Sequence, residues 1–263
     1  MPYAITVVPI MPLRAEQSHK SEIISQALFG ECSEIIATGS DGWVRVKCQY
    51  DGYEGWATVN HLETIDEALF NAPYTHYTAS WVNQVLLNGK LLQAPFGCVV
   101  KHGTTDVTNW GKVSVQFEEP PAEIGNGNAV AITALTKASF LYLNTAYLWG
   151  GKSVFGVDCS GFTQTVFKTL GIHLLRDAYQ QATQGMTVDF VQEAKTGDLA
   201  FFDNAEGRIT HVGILLNDHE IIHASGKVRV DPIDNQGITN TDTGVRTHKL
   251  RIIKRYFQQQ TIA

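Results

Sequence analysis

Apolar and polar residues alternate with period two over Trp43-Val44-Arg45-Val46-Lys47-Cys48, which places Val44, Val46 and Cys48 on one face of a strand. Asp51-Gly52 and Glu54-Gly55 are turn signals on either side of Tyr53, and Trp56-Ala57-Thr58-Val59 resumes the strand. Short strands of this kind run to about Leu62, and five within ~65 residues predict a small all-β barrel. From Tyr74 to Phe117 the pattern returns in degenerate form. Leu86 to Leu92 predicts a hairpin, because Asn88-Gly89 supplies the positive φ angles of a tight turn. Pro95-Phe96-Gly97 and Val113-Ser114-Val115-Gln116-Phe117 predict further strands. The stretch from Glu118 to Asn128 is polar and rich in proline and glycine, and reads as a linker. Beyond it Ile132, Leu135, Ala138 and Ser139 share one helical stripe, and helices followed by strands predict an α+β domain.

Composition narrows the function classes. The chain has 263 residues, 44% of them hydrophobic, enough for two or three packed domains. Its net charge is −6 and it holds no dense Lys/Arg run, which argues against a nucleic-acid or anionic-membrane surface. Apolar stretches fall well short of the ~20 residues that span a bilayer. Met1 to Pro9 lacks a basic lead-in and is broken by prolines, so it does not read as a signal peptide. The expected location is the cytoplasm; a periplasmic or secreted protein whose leader has been removed is the alternative.

None of the four cysteines, Cys32, Cys48, Cys98 and Cys159, belongs to a C-x-x-C pair. The first three read as small buried strand residues, with a disulfide between two of them left open. Cys159 differs. Phe162, Val166, Phe167 and Leu170 follow it at helical spacing, Asp158 is placed as N-cap and Gly171 as C-cap. Cys159 therefore belongs to the first turn of an amphipathic helix, where the helix dipole favours a thiolate.

A thiol attacking an acyl carbon needs a base and a group that orients the base. Thr210 to Leu216 reads as a strand opening on His211, Asn217 to Glu220 as a turn, and Ile221 to Gly226 as a strand carrying His223. Two such antiparallel neighbours bring the histidines together, with His211 as base and His223 as orienter. Zinc held by Cys159, His211 and His223 is the rival reading, though the residues lack local ligand spacing. The expectation is no metal and no organic cofactor.

Five blocks carry a resemblance. Tyr147-Leu148-Trp149-Gly150-Gly151, Asp158-Cys159-Ser160-Gly161-Phe162, Gly197-Asp198-Leu199-Ala200-Phe201-Phe202, His211-Val212-Gly213-Ile214 and Ile222-His223-Ala224 occur in this order. The C-terminal half thereby resembles the NlpC-type family of papain-like cell-wall cysteine peptidases. The resemblance implies a fold in which the cysteine-bearing helix packs on an antiparallel sheet. It also implies Cys159, His211 and His223 as the triad, with Tyr147, Asp158 and Ser160 at the oxyanion and substrate side. Asp51 to Trp56 and Gln26 to Glu31 resemble a bacterial SH3-like domain.

Arg176-Asp177-Ala178 departs from secreted members, which tend to carry a hydroxyl residue after the arginine. This is similar to a recycling subgroup, the γ-D-glutamyl-L-diamino-acid endopeptidases. The resemblance implies that Asp177 grips the free amino group of an N-terminal L-Ala, with Ala178 replacing the subgroup's serine. Glu22 and Tyr53 resemble barrel residues that close that pocket; the plain alternative is a solvated carboxylate and a turn aromatic. The expected architecture is thus α+β: SH3-like barrels at 1–66 and 67–120, then a papain-like peptidase domain at 128–263. The expected substrates are murein tripeptide and tetrapeptide fragments, with no obligate protein partner. Alternatives are a secreted hydrolase of intact wall, a non-catalytic wall-binding protein and an acyltransferase of the same superfamily.

Overall fold

The computed structural model describes residues 2–101, 103–127, 129–130 and 132–259. The expected chain start at Met1, the domain boundary at Asn128 and the chain end at Ala263 lie outside these residues. The chain divides into two compact units, one of residues 1–124 with 149–155, the other of 125–148 with 156–263.

In the first unit the period-two pattern becomes a sheet. Its strands are β1 (Tyr3–Thr6), β2 (Ile10–Arg14), β3 (Ile23–Leu28), β4 (Cys32–Thr38), β5 (Trp43–Cys48), β6 (Glu54–Thr58) and β7 (Leu62–Ile65), antiparallel in the order β3-β2-β6-β5-β4-β1-β7. Val44, Val46 and Cys48 are buried while Arg45 and Lys47 are exposed, as alternation requires. Together with Met11, Leu13, Ala27 and Ala57 they form one apolar cluster.

A short helix α1 (Glu67–Asn71) leads to β8 (His76–Tyr77), β9 (Val82–Leu87), β10 (Lys90–Pro95), β11 (Val99–Val100), β12 (Thr108–Trp110), β13 (Val113–Phe117) and β14 (Ala122–Glu123). The β9–β10 hairpin turns on Asn88 and Gly89, with φ of 51° and 73°. Phe96 and Gly97, expected in a strand, instead make a turn after Pro95 ends β10. Where a second barrel was expected, the strands divide into two small sheets, β10-β9-β13-β12 and β11-β8-β14. Val85, Cys98, Trp110, Val115 and Phe117 share a core with Ile5 and Leu28 of the first sheet and with Phe29 in the turn after β3. That shared core is the physical reason residues 1–124 form one unit. Among the described strand pairings of this unit no sheet closes on itself.

The second unit begins with β15 (Ala129–Val130) and α2 (Ile132–Phe140); β16 (Lys152–Ser153) returns to the first unit beside β3. Then follow β17 (Gly156–Val157), α3 (Cys159–Thr169), α4 (Ala178–Gln181), β18 (Met186–Val188), β19 (Leu199–Asp203), β20 (Ile209–Leu215), β21 (Glu220–Ser225), β22 (Lys227–Asp234), β23 (Gly237–Thr239), β24 (Arg246–Arg255) and β25 (Gln258–Gln259). The antiparallel sheet runs β18-β24-β19-β20-β21-β22-β23, and β23 also pairs with β24, so six strands close a ring. Ala200, Phe202, Leu215, Ile221, Ile233, Ile238 and Ile253 form its apolar cluster. Helix α3 packs against β20 and β21. The expected linker is partly pinned: the amides of Gly125 and Gly127 donate to the carbonyls of Thr169 and Leu170 at the end of α3. Gly171, with φ of 77°, makes that close approach possible.

Candidate active site

Helix α3 starts where the sequence places it. Asp158 is extended and accepts from the Gly161 amide at 2.6 Å, the N-cap bond that satisfies an otherwise orphaned donor. Its carboxylate also meets the buried Arg176, whose Nη1 donates to Oδ1 at 3.1 Å and Nη2 to Oδ2 at 2.6 Å. Arg176 Nη1 donates to Ser160 Oγ as well, at 2.9 Å. Asp158 and Ser160 are thus bound up in holding the helix start.

Cys159 opens α3 and is buried, with Sγ 3.9 Å from the carbonyl of Thr210, the residue before His211. Burial, followed by the nearby Asp158 charge, pushes the thiol up to about 12. Desolvation thus outweighs the helix dipole at Cys159. Tyr147 pairs with Val157, just ahead of the helix, as an isolated parallel bridge. Its phenol is held above its ordinary value by burial, then by Cys159 and Asp158, which places all three in one neighbourhood.

The histidines come from adjacent strands. Gly213 of β20 pairs with His223 of β21, setting His211 on the diagonal. His211 Nε2 and His223 Nδ1 lie 2.9 Å apart, and His223 Nε2 lies 3.0 Å from Asp231 Oδ2 on β22. Burial, then His223 and His248, hold His211 well below the usual histidine value, so its imidazole is neutral.

His248, Asp231 and Arg229 belong to this cluster and were not singled out from sequence. His248 of β24 stacks on His211 with ring centroids 4.2 Å apart and planes 27° apart, and it meets His223 edge-on. The one available signal for Arg229 and Asp231 was two opposite charges at i and i+2, flanking Val230 in β22. For His248 there was none, because β24 is distant in sequence and polar in pattern.

Among the described residues, His211, His223 and His248 are the group with metal-ligating nitrogens close together, all within 4.8 Å. Their present geometry suits hydrogen bonding better. Both nitrogens of His223 and Nε2 of His211 are engaged, and stacked rings keep their in-plane lone pairs in near-parallel planes.

The remaining candidates lie as follows. Asp177 is half-buried at the N-cap of α4, and its amide donates to Gln180 Oε1 at 3.0 Å. Glu22, exposed in the first unit, accepts from Trp149 Nε1 at 2.5 Å. Tyr53 stands at the β5–β6 turn, where its amide donates to Asp51 Oδ1 at 3.0 Å. Cys32, Cys48 and Cys98 are buried and unbridged.

Comparison with known proteins agrees with this architecture. Residues 144–247 match the NlpC/P60 family and residues 13–62 the bacterial dipeptidyl-peptidase Sh3 domain. A γ-D-glutamyl-L-lysine dipeptidyl-peptidase of Bacillus cereus is 36% identical over 113 residues, covering 41% of this chain and 34% of its own length. The protein of the same name from Bacillus subtilis is 30% identical over 226 residues, covering 77% of this chain and 72% of that protein. The crystal structure of an NlpC/P60 family protein from Bacillus cereus superposes with a TM-score of 0.80 over 97% of this chain and 99% of that one, at 20% identity. Matched through both its SH3-like and its papain-like parts, the chain belongs to the NlpC/P60 family of cysteine peptidases.

Proposed function

We propose that the protein hydrolyses the γ-D-glutamyl-L-diamino-acid bond of murein peptides that carry a free N-terminal L-Ala. The observation that carries this reading is the buried 2.9 Å His211–His223 pair on strands packed against the helix that opens with Cys159. The names of the Bacillus relatives support the bond class.

In this reading the Cys159 proton passes to His211 as sulfur bonds to the γ-carbonyl carbon of D-Glu. Collapse of the tetrahedral species breaks the C–N bond, and the departing amine takes the proton from His211. Water, deprotonated by His211, then attacks the thioester; the C–S bond breaks, the acid product is freed and the Cys159 sulfur takes the proton back from His211. His223 orients His211, and the amide end of α3 favours the developing oxyanion. The chemistry draws on protein groups alone. Asp177 is the carboxylate that selects a free amine in this reading, and a peptide-recycling role is consistent with work inside the cell. The 67–120 segment is read as a divergent SH3-like copy on the strength of its short antiparallel strands.

The test is kcat/KM on the free and N-acetylated peptide. Free peptide should be cut at least about 10-fold better, because a hydrogen bond between the substrate ammonium and the half-buried Asp177 carboxylate is worth about 1.5–3 kcal/mol. Asp177→Asn should lower activity on the free peptide much more than on the acetylated one, and Cys159→Ala should abolish both. Equal cleavage of acetylated peptide or intact sacculus would replace this reading with that of a wall hydrolase. Activity lost in EDTA and restored by zinc would favour a metal mechanism.

A further inference from the structure

Asp231 is 1% exposed and sits at the end of the chain His211–His223–Asp231. Its Oδ1 accepts from Arg229 Nη2 at 2.9 Å, from the Thr241 amide at 2.9 Å and from Thr241 Oγ1 at 2.8 Å. Its Oδ2 faces His223 Nε2 at 3.0 Å, with Arg229 Nε 2.8 Å away. Arg229 is anchored in turn by Asp242, 2.8 Å from Nη1. Burial alone would raise the Asp231 carboxyl, but the bonds from His223, Thr241 and Arg229 outweigh it and hold it ionised.

We propose that Asp231 is the positioning residue that fixes the tautomers of both histidines, extending the catalytic constellation to Cys159–His211–His223–Asp231. An ionised carboxylate only accepts, so the proton of His223 must be on Nε2. If His223 carries that one proton, its Nδ1 offers a lone pair, and the 2.9 Å contact then puts the proton of the neutral His211 on Nε2. Nδ1 of His211 is left as the basic nitrogen, and no hydrogen bond to it occurs among the described residues. Reversing the first link reverses every link, and His211 would then carry its proton on Nδ1. The other charged and titratable groups facing this chain are His248 from β24, stacked on His211, and Arg229 and Asp242 around Asp231.

The inference rests on the reading of His211 as base, but its first test does not need turnover. In ¹⁵N-histidine-labelled wild-type protein at neutral pH, side-chain NMR should show His211 and His223 both protonated on Nε2. Either one protonated on Nδ1 overturns the proposal, whether or not any variant folds. Asp231→Asn is the informative substitution. Its carbonyl oxygen stays with the three donors at Oδ1, which turns the NH₂ group toward His223 Nε2 and inverts the chain. Expected are protons moved to Nδ1 on both rings and a kcat/KM loss of about 100-fold or more, with KM within about threefold. Unchanged tautomers in this variant overturn the proposal. Inverted tautomers with normal cleavage uphold Asp231 as the positioning residue and remove His211 from the base's role.

Discussion

Cys159 lies in a helix first turn, where aligned amides favour negative charge, yet it is buried beside the Asp158 carboxylate. Desolvation decides the balance, raising the thiol to about 12 while His211 is driven well below its usual value. Both shifts point the same way: the resting pair is a neutral thiol and a neutral imidazole, and proton transfer accompanies attack. A raised thiol value means that thiolate accumulates only as pH climbs toward it. Alkylation of Cys159 by iodoacetamide should therefore keep accelerating above pH ~8 and show no plateau starting near pH ~4, the behaviour of a preformed ion pair. A flat rate between those limits would show that the ion pair already exists at rest.

Adjacent strands act as the element that assembles the imidazoles. β24, β19, β20 and β21 are neighbours, and Phe202 of β19 touches the rings of both His211 and His248. Burial, then His223, depress His248 to about 4, with Asp231 pulling the other way. A histidine whose folded pKa lies below its unfolded value near ~6.5 adds its full share of stability above that value. The share shrinks as pH falls from there toward 4, because the unfolded chain binds the proton first. Partial exposure reduces the effect to about 1 kcal/mol between pH 7 and 5. His248→Gln should remove that part of the acid sensitivity. Thermal melts of both proteins at the two pH values check it, and an identical drop in each would exclude His248 as a source.

At the scale of the molecule, the first unit recruits residues 149–155 from far along the chain. Lys152 is 2% exposed, with Nζ 3.4 Å from Glu31 Oε2 and its amide bonded to Gln26 Oε1 at 2.8 Å. Lys152→Met should cost about 3–5 kcal/mol of unfolding stability by removing the cation beside the buried Glu31 carboxylate, which keeps its bond from the Leu28 amide, and adding Glu31→Gln should restore part of it. Denaturant midpoints of the single and double variants measure this; a single variant as stable as the parent would show that the pair bears no load.

Much of the architecture follows from local pattern, because side-chain periodicity is a property of neighbouring residues. The strand Trp43–Cys48, the Asn88-Gly89 hairpin, the N-cap Asp158 and the order of His211 and His223 on consecutive strands were all legible from sequence. The division of residues 76–123 between two small sheets was not, because a core shared with Ile5, Leu28 and Phe29 is a long-range packing choice. Nor was the closing of β23 onto β24, which depends on edges meeting in space. The same holds at the site. Sequence alone nominated the cysteine and two histidines by residue type and spacing. Only the tertiary structure brought Asp231 and His248 against the histidines and Arg229 against Asp231, and only burial could set the protonation of Cys159 and His211, since desolvation is decided by everything packed around a group.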